Sequence, residues 1–228
     1  MNIFISGISK GIGRALVAES LGRGHFVIGS SSHPEIVPDE IRDSPRLQLL
    51  KIEWPFDRSN LEAQLTRIQD LDIDLLVNNA GLLNTDLLLN AVVEDALMMY
   101  NVNALFPLEL SRAIYKANRF SRDASILNIS SMGGFQGATK FEGLAAYSMS
   151  KAALVALTEC MAVEWANDLK VNCLCLGAVQ TEMLNEAFPG YVAPVSAQEM
   201  AKFILDFGES AGGIINGSII PLKISDPK

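Results

Sequence analysis

The chain has 228 residues, 49% of them apolar, and carries a formal net charge of −8 at pH 7. This length can bury a substantial core as a single domain over residues 1–228, and the acidity argues against nucleic acid as a partner. No run of ~18 apolar residues predicts a membrane span and no leader-like pattern opens the chain, so we expect a cytoplasmic protein without membrane contacts.

Short apolar runs and helix-forming runs alternate along the chain. Strands are predicted near residues 2–6, 25–30, 46–52, 73–78, 124–130, 170–176 and 217–222. Helices are predicted near residues 12–23, 57–70, 92–117, 145–166 and 197–208, with only a turn around Asp39–Arg42 in the proline-containing stretch 30–45. This alternation predicts an α/β fold, a doubly wound and mostly parallel seven-stranded sheet with helices on both faces, of the Rossmann-like kind.

A glycine-rich turn joins the first predicted strand to the first predicted helix. Gly7, Gly11 and Gly13 follow the apolar strand that ends at Ser6. Such a turn presents backbone N–H groups and the positive end of a helix dipole to a phosphate. The Gly-x-x-x-Gly-x-Gly spacing differs from the commonest dinucleotide fingerprint, but three glycines in seven residues favour a nucleotide site over an ordinary turn.

The same turn also matches a serine-hydrolase pattern. Ser9 lies between Gly7 and Gly11 in the Gly-x-Ser-x-Gly spacing of a nucleophile elbow. That chemistry needs a histidine base that follows both the serine and an acid in the chain. The two histidines, His25 and His33, instead follow Ser9 closely, so we give the hydrolase hypothesis little weight.

Polar residues stand where two later predicted strands end. Asn79 follows the apolar run 73–77, and Ser131 closes the run 126–131. Ligands in open α/β sheets bind outside the carboxyl ends of the strands. Both side chains are therefore expected at the same rim as the glycine turn.

Tyr147 and Lys151 lie one helical turn apart in the predicted helix 145–166. Residues four apart project from the same helix face, so the ammonium group is expected to lower the phenol pKa from ~10 toward neutrality. Such a phenol can give a proton to an alkoxide or take one from an alcohol. An isolated pair of this kind is more often a partly buried tyrosine beside a solvated lysine, so the other motifs decide the interpretation.

Six motifs in order make the chain resemble the short-chain dehydrogenase/reductase family, over nearly its whole length. They are Gly7-x-x-x-Gly11-x-Gly13, Asn78-Asn79-Ala80-Gly81, Asn103, Ser131, Tyr147-x-x-x-Lys151 and Gly177-x-x-x-Thr181. The resemblance implies an NAD(P)H-dependent oxidoreductase that interconverts a carbonyl and an alcohol by hydride transfer. An alternative is a nucleotide-binding relative with a signalling or regulatory role and little catalysis.

The resemblance also implies a role for each catalytic residue. Tyr147 would be the general acid and base, and Lys151 would lower its pKa and bond the nicotinamide ribose. Ser131 would donate to the carbonyl oxygen, with Ser130 as the competing choice. Asn103, preferred to its neighbour Asn101, would hold a water in a proton relay.

The cofactor-binding residues implied by the resemblance lie at the strand ends. They are Gly7, Ser9, Lys10, Gly11, Ile12, Gly13, Ser30, Ser31, Glu53, Asn79, Ala80, Gly81, Tyr147, Lys151, Gly177, Val179 and Thr181. Strand two ends in serines, without a carboxylate before Glu35, and Lys10 adds a positive charge nearby. These features favour NADP(H) over NAD(H), because an acidic residue there would repel a 2′-phosphate.

Substrate and partner predictions rest on the variable segments. A longer loop at 136–143 and a short lid at 182–194 bring apolar residues that predict a small apolar or aromatic carbonyl or alcohol as the substrate. They are Phe141, Leu144, Met183, Leu184, Phe188 and Tyr191. The helix 145–166 is apolar on several sides, so we expect a homodimer or homotetramer. Cys160, Cys173 and Cys175 are expected to be free thiols of a reducing compartment, without a metal site.

Overall fold

The computed structural model describes residues 1–54, 56–68, 71–210 and 214–225 of the chain. Its seven strands are β1 (Asn2–Ser6), β2 (Phe26–Ser31), β3 (Leu47–Lys51), β4 (Ile73–Asn78), β5 (Phe120–Ser131), β6 (Lys170–Leu176) and β7 (Ile219–Leu222). They form one sheet in the order β3-β2-β1-β4-β5-β6-β7, and every neighbouring pair is parallel. The predicted fold class is therefore confirmed.

The helices are α1 (Gly11–Gly22), α2 (Asp39–Arg42), α3 (Arg58–Leu65), α4 (Val93–Tyr100), α5 (Phe106–Lys116), α6 (Ala145–Glu164), α7 (Glu182–Ala187) and α8 (Ala197–Ser210). The helix predicted to reach residue 70 ends at Leu65, and residues 69 and 70 lie outside the described part of the chain. The predicted helix 92–117 is α4 and α5 joined by a π-helical segment, Asn101–Leu105. Helix α7 was not predicted.

Alternate residues of the strands point to opposite faces of the sheet and build two hydrophobic layers. Residues Ile3 and Ile5 of β1 pack on the face covered by α1 and α8, with Leu16 and Ile204. Residue Phe4 packs on the other face, against α5 and α6. Strands buried on both faces need apolar residues at nearly every position, which explains the continuous apolar runs in the sequence.

The order of the strands reverses at β1: β2 and β3 lie on one side of it, and β4 to β7 lie on the other. The connections on either side of such a switch point diverge and leave a crevice outside the carboxyl ends of the strands. The loops after β1, β2, β4, β5 and β6 all open into this crevice. Among the described residues, no helix combines the length and the apolar composition needed to traverse a bilayer.

Candidate active site

The glycine turn after β1 is packed tightly against the segment after β4. Gly7 has a φ of +74°, and a β-carbon there would lie 2.7 Å from the Cα of Ala80. The hydroxyl of Ser6 accepts hydrogen bonds from the backbone N–H groups of Asn79 and Ala80, both at 3.0 Å. The two segments therefore form one rigid wall of the crevice.

A cleft of about 650 Å³ occupies the crevice. Most of the predicted site residues line it: Gly7, Ser9, Lys10, Gly11, Ile12, Gly13, Ser30, Ser31, Asn79, Ala80, Gly81, Ser131, Tyr147, Lys151, Gly177, Val179 and Thr181. The predicted residues that do not line it are Glu53 and Asn103. The structure thus brings together residues that span the chain from position 7 to position 181.

Glu53 points away from the cleft. Its carboxylate is exposed and pairs with Lys51 on the surface, which lowers the carboxyl pKa. Its neighbours Ile52 and Trp54 line the cleft instead, and the Trp54 ring packs edge-on against Phe106 with 4.8 Å between ring centroids. The structure therefore does not support a cofactor contact from the Glu53 side chain, and sequence reasoning missed Trp54.

Asn103 is fully buried behind the cleft, in the π-helical segment. Its Oδ1 accepts from the N–H of Leu82 at 2.8 Å, and its Nδ2 donates to the Leu82 carbonyl at 2.9 Å and to Ser150 Oγ at 2.8 Å. A β-carbon on Gly81 would lie 3.5 Å from both Asn103 Oδ1 and Lys151 Nζ. Asn103 therefore fastens α6 to the loop after β4, and its Oδ1 lies near Gly81, as Lys151 Nζ does. Single π-helical turns are frequent at functional sites.

Tyr147 and Lys151 are both buried on the same face of α6. Lys151 Nζ donates to the carbonyl of Ile129 at 2.9 Å and lies 6.0 Å from the centre of the Tyr147 ring. Burial lowers the pKa of Lys151 to about 8 and raises the pKa of Tyr147 to about 12, while a hydrogen bond with Ser131 acts against the second shift.

The shift at Tyr147 runs opposite to the one predicted from the sequence. Spacing on the helix places the two groups together, but Lys151 is directed to the Ile129 carbonyl and the phenol has lost its solvent. Desolvation of the phenolate therefore outweighs the attraction of the ammonium group. The phenol is in its protonated form at neutral pH in this arrangement.

The two serines at the end of β5 have different partners. Ser130 Oγ donates to the Lys151 carbonyl at 2.9 Å and so holds α6 against the sheet. Ser131 Oγ accepts from the N–H of Gly133 at 3.0 Å and shares a hydrogen bond with Tyr147. The structure therefore favours Ser131 as the serine that acts together with the phenol.

The end of β2 presents hydroxyl groups to the cleft. Ser30 and Ser31 are buried, and Ser31 Oγ accepts from the N–H of His33 at 3.0 Å. Glu35 lies outside the cleft lining, and its carboxylate is 3.1 Å from the exposed His33 ring. The described lining residues from β2 and the loop after it therefore include no carboxylate.

Apolar side chains line the opposite end of the cleft. Five of the six predicted pocket residues are there: Phe141, Leu144, Met183, Leu184 and Phe188. The sixth, Tyr191, does not line the cleft, because its hydroxyl bonds to Ser225 Oγ at 2.9 Å. Thr181 caps the N-terminus of α7 by accepting from the N–H of Leu184 at 3.3 Å. The cleft also has apolar lining residues that sequence reasoning missed: Leu82, Leu83, Met98 and Val102.

The sequence model of the short chain dehydrogenase family matches residues 1–191. The chain belongs to the short-chain dehydrogenase family. It is 28% identical to the 3-oxoacyl-[acyl-carrier-protein] reductase FabG of Haemophilus influenzae, over 95% of this chain and 93% of the relative. It is 30% identical to the NADPH-dependent pterin aldehyde reductase of Arabidopsis thaliana, over 93% and 91%.

A solved structure shares the architecture. ElxO with NADP bound superimposes with a TM-score of 0.80 at 24% identity, over 97% of this chain and 96% of that chain. At this identity the likeness shows the fold alone. Together with the family match and the assembled site, it identifies the chain as an NAD(P)H-dependent oxidoreductase that interconverts a carbonyl and an alcohol.

Proposed function

We propose that this chain is an NADP(H)-dependent carbonyl reductase in which Tyr147 protonates the substrate oxygen. The observation that carries the proposal is the joint lining of one cleft by the glycine turn, Ser131, Tyr147 and Lys151. This arrangement combines a phosphate cradle with a positioned acid. The substrate would be a small carbonyl compound or the corresponding alcohol.

The residues of the cleft fit a dinucleotide. Gly7 lines the cleft and has no side chain, so a pyrophosphate could approach the backbone of the turn closely. Helix α1 begins at Gly11, and its first N–H groups and dipole favour a phosphate. When bound, the nicotinamide ring supplies the hydride that reduces the carbonyl carbon.

The proton chemistry follows from burial of the two ionisable groups. A phenol with a pKa of about 12 holds its proton at pH 7, as an acid for carbonyl reduction must. Lys151, with a pKa of about 8, is mostly cationic at pH 7 and stabilises the tyrosinate left after proton transfer. Ser131 would donate a second hydrogen bond to the developing alkoxide.

Asn103 would hold the water that returns a proton toward Lys151. Its amide nitrogen donates to Leu82 and Ser150, whereas Oδ1 accepts one hydrogen bond from the N–H of Leu82 and has a second lone pair. Oδ1 and Lys151 Nζ both lie near Gly81, which lines the cleft, so a water at Gly81 would be within reach of both groups. The buried amide is thus both a positioning group and a proposed relay member.

NADP(H) is proposed over NAD(H) because of the end of β2. The serine hydroxyls there can donate to a 2′-phosphate, and Lys10 lines the same half of the cleft. The NADP seen in the ElxO structure lies in a protein of the same fold. A Ser32→Asp variant places a carboxylate among these lining residues and is expected to weaken NADPH binding while sparing NADH.

We propose that the protein assembles as a homodimer or homotetramer. Val93, Leu97 and Tyr100 form an exposed stripe along α4, and Met149 of the adjacent α6 is 70% exposed. Contiguous exposed apolar residues of this kind mark surfaces that a second subunit covers. Light scattering should give a multiple of the chain mass, and Leu97→Asp should reduce it.

The cytoplasm is the proposed compartment, consistent with free Cys173 and Cys175 thiols 3.9 Å apart.

The first test is a parallel titration of the purified protein with NADPH and NADH, followed by nucleotide fluorescence. Tight NADPH binding with weak NADH binding supports the proposal and leads to a screen of carbonyl compounds for NADPH oxidation. A preference for NADH overturns the choice of cofactor but keeps the reductase. Binding of neither nucleotide contradicts the proposed function.

A further inference from the structure

The apolar end of the cleft is closed by two aromatic rings from different segments. Phe141 comes from the loop between β5 and α6, and Phe188 follows the lid helix α7. Their rings meet edge to face, with centroids 5.3 Å apart and an interplanar angle of 78°. Both rings line the cleft and are half-buried, so each has a face or edge left for a ligand.

Hydrogen bonds hold the segments that carry the two rings. Lys140 Nζ donates to the Phe135 carbonyl at 2.8 Å, and the N–H of Asp86 donates to the Gly143 carbonyl at 3.0 Å. The N–H of Phe188 donates to the Leu184 carbonyl at 2.8 Å. The ring pair is therefore prepared for a ligand before binding, which lowers the entropic cost of ordering the site.

The charges in the cleft are unequally distributed. The cationic and histidine side chains among its described lining residues are Lys10, His33 and Lys151. The first two flank the glycine turn and the end of β2, and Lys151 is directed to the Ile129 carbonyl. The lid contributes the carboxylates of Glu182, which pairs with Arg14 at 3.1 Å beside the glycine turn, and of Glu186. A negatively charged group at the apolar end would thus meet apolar side chains and none of the cations among the described lining residues.

We propose that Phe141 and Phe188 select uncharged aromatic ketones or aldehydes as substrates of this enzyme. This inference rests on the proposed reductase function and adds the substrate class. The aromatic group stacks against the ring pair while its carbonyl reaches Tyr147 and Ser131. An anionic group on the aromatic ring is excluded, because no cation among the described lining residues at this end compensates for its lost hydration.

The test compares three carbonyl compounds that differ in one feature each. Ethyl benzoylformate is aromatic and neutral, ethyl pyruvate replaces the phenyl group by methyl, and ethyl (4-carboxybenzoyl)formate adds a carboxylate to the ring. Steady-state NADPH oxidation gives kcat/KM for each. We expect ethyl benzoylformate to be preferred over both others by roughly a hundredfold, the range that a well-fitted pocket can reach.

Variants locate the source of this preference. Phe141→Leu and Phe188→Leu should each reduce the phenyl-over-methyl ratio of kcat/KM by roughly tenfold. Phe188→Tyr keeps the ring and should keep the ratio. Phe203→Leu makes the same chemical change on the exposed side of α8, outside the cleft lining, and serves as the matched control.

The outcomes separate this inference from the proposed function. NADPH binding by the wild-type protein, with ethyl pyruvate or ethyl (4-carboxybenzoyl)formate reduced as well as ethyl benzoylformate, overturns the proposed selection by Phe141 and Phe188 and keeps the reductase. NADPH binding without reduction of ethyl benzoylformate also overturns it. A protein that binds no nucleotide contradicts the function itself. The kcat/KM ratios of the wild-type protein test the proposed selection even when a leucine variant does not fold.

Discussion

Three Gly→Ala variants, one in the glycine turn and two elsewhere, test the close packing of that turn. Gly7 combines a φ of +74° with a β-carbon position 2.7 Å from a backbone atom. Gly137 has a φ of +78° but open space around that position, and Gly22 at the end of α1 has open space and no positive φ. The three positions thus separate backbone strain from collision.

The expected costs follow from these two features. Left-handed backbone strain costs roughly 1–2 kcal/mol for a residue with a β-carbon, and overpacking adds about 1–3 kcal/mol. Gly7→Ala should therefore lose about 2–5 kcal/mol of stability and Gly137→Ala about 1–2 kcal/mol. Gly22→Ala should gain up to about 1 kcal/mol, because alanine is the better helix former.

Thermal unfolding and NADPH titration measure these effects. For a chain of this size, 1 kcal/mol shifts the melting temperature by about 2–4 °C. The melting temperature should therefore be highest for Gly22→Ala, lower for Gly137→Ala and lowest for Gly7→Ala. The Gly7 variant should also bind NADPH at least about tenfold more weakly, a loss of ~1.4 kcal/mol, while the other two bind normally. A Gly7 variant that melts and binds like the Gly22 variant would refute the close packing of the turn on Ala80.

Two further predictions concern the buried groups behind the cleft. The pKa of Lys151 is about 8 in the folded protein, below its ordinary value of 10.5, so the unfolded chain binds more protons between these values. The free energy of unfolding should then rise with pH from about 8 toward 10, relative to that of a Lys151→Met variant. Urea midpoints of both proteins at pH 7 and 9.5 measure this rise. The same pH dependence in both proteins would contradict the burial of Lys151. Asn103→Leu should lose about 2–4 kcal/mol, because the Leu82 backbone N–H and C=O lose their buried partner, and urea unfolding at neutral pH measures this. An unchanged urea midpoint would show that the amide is not a structural clamp.

Much of the fold follows from local sequence features. In a parallel sheet each strand is covered on both sides, so runs such as residues 73–77 are continuously apolar and easy to recognise. The start of β5 was missed because Phe120–Asp123 is polar and partly exposed. Helix α7 was missed because it has only six residues, and the hydrogen bond by which Thr181 caps it forms only in the folded chain.

The site residues were predictable where a motif fixes the backbone, and less so where side-chain direction matters. Ile52 is buried and Glu53 is exposed, which continues the alternation of β3 and turns the carboxylate outward. This alternation was a usable signal that family resemblance overrode. The π-helical segment at Asn103 and the raised pKa of Tyr147 depend on tertiary hydrogen bonds and burial, and spacing along a helix contains neither.

The Tyr147 hydroxyl should be essential for turnover and dispensable for nucleotide binding. Tyr147→Phe removes one oxygen from a buried ring and leaves the aromatic packing of α6 in place. With a carbonyl compound that the wild-type protein reduces, kcat/KM should fall by about 10²–10⁴, while NADPH affinity and melting temperature stay close to wild type. Undiminished NADPH oxidation by Tyr147→Phe would contradict proton donation by this tyrosine and the mechanism built on it.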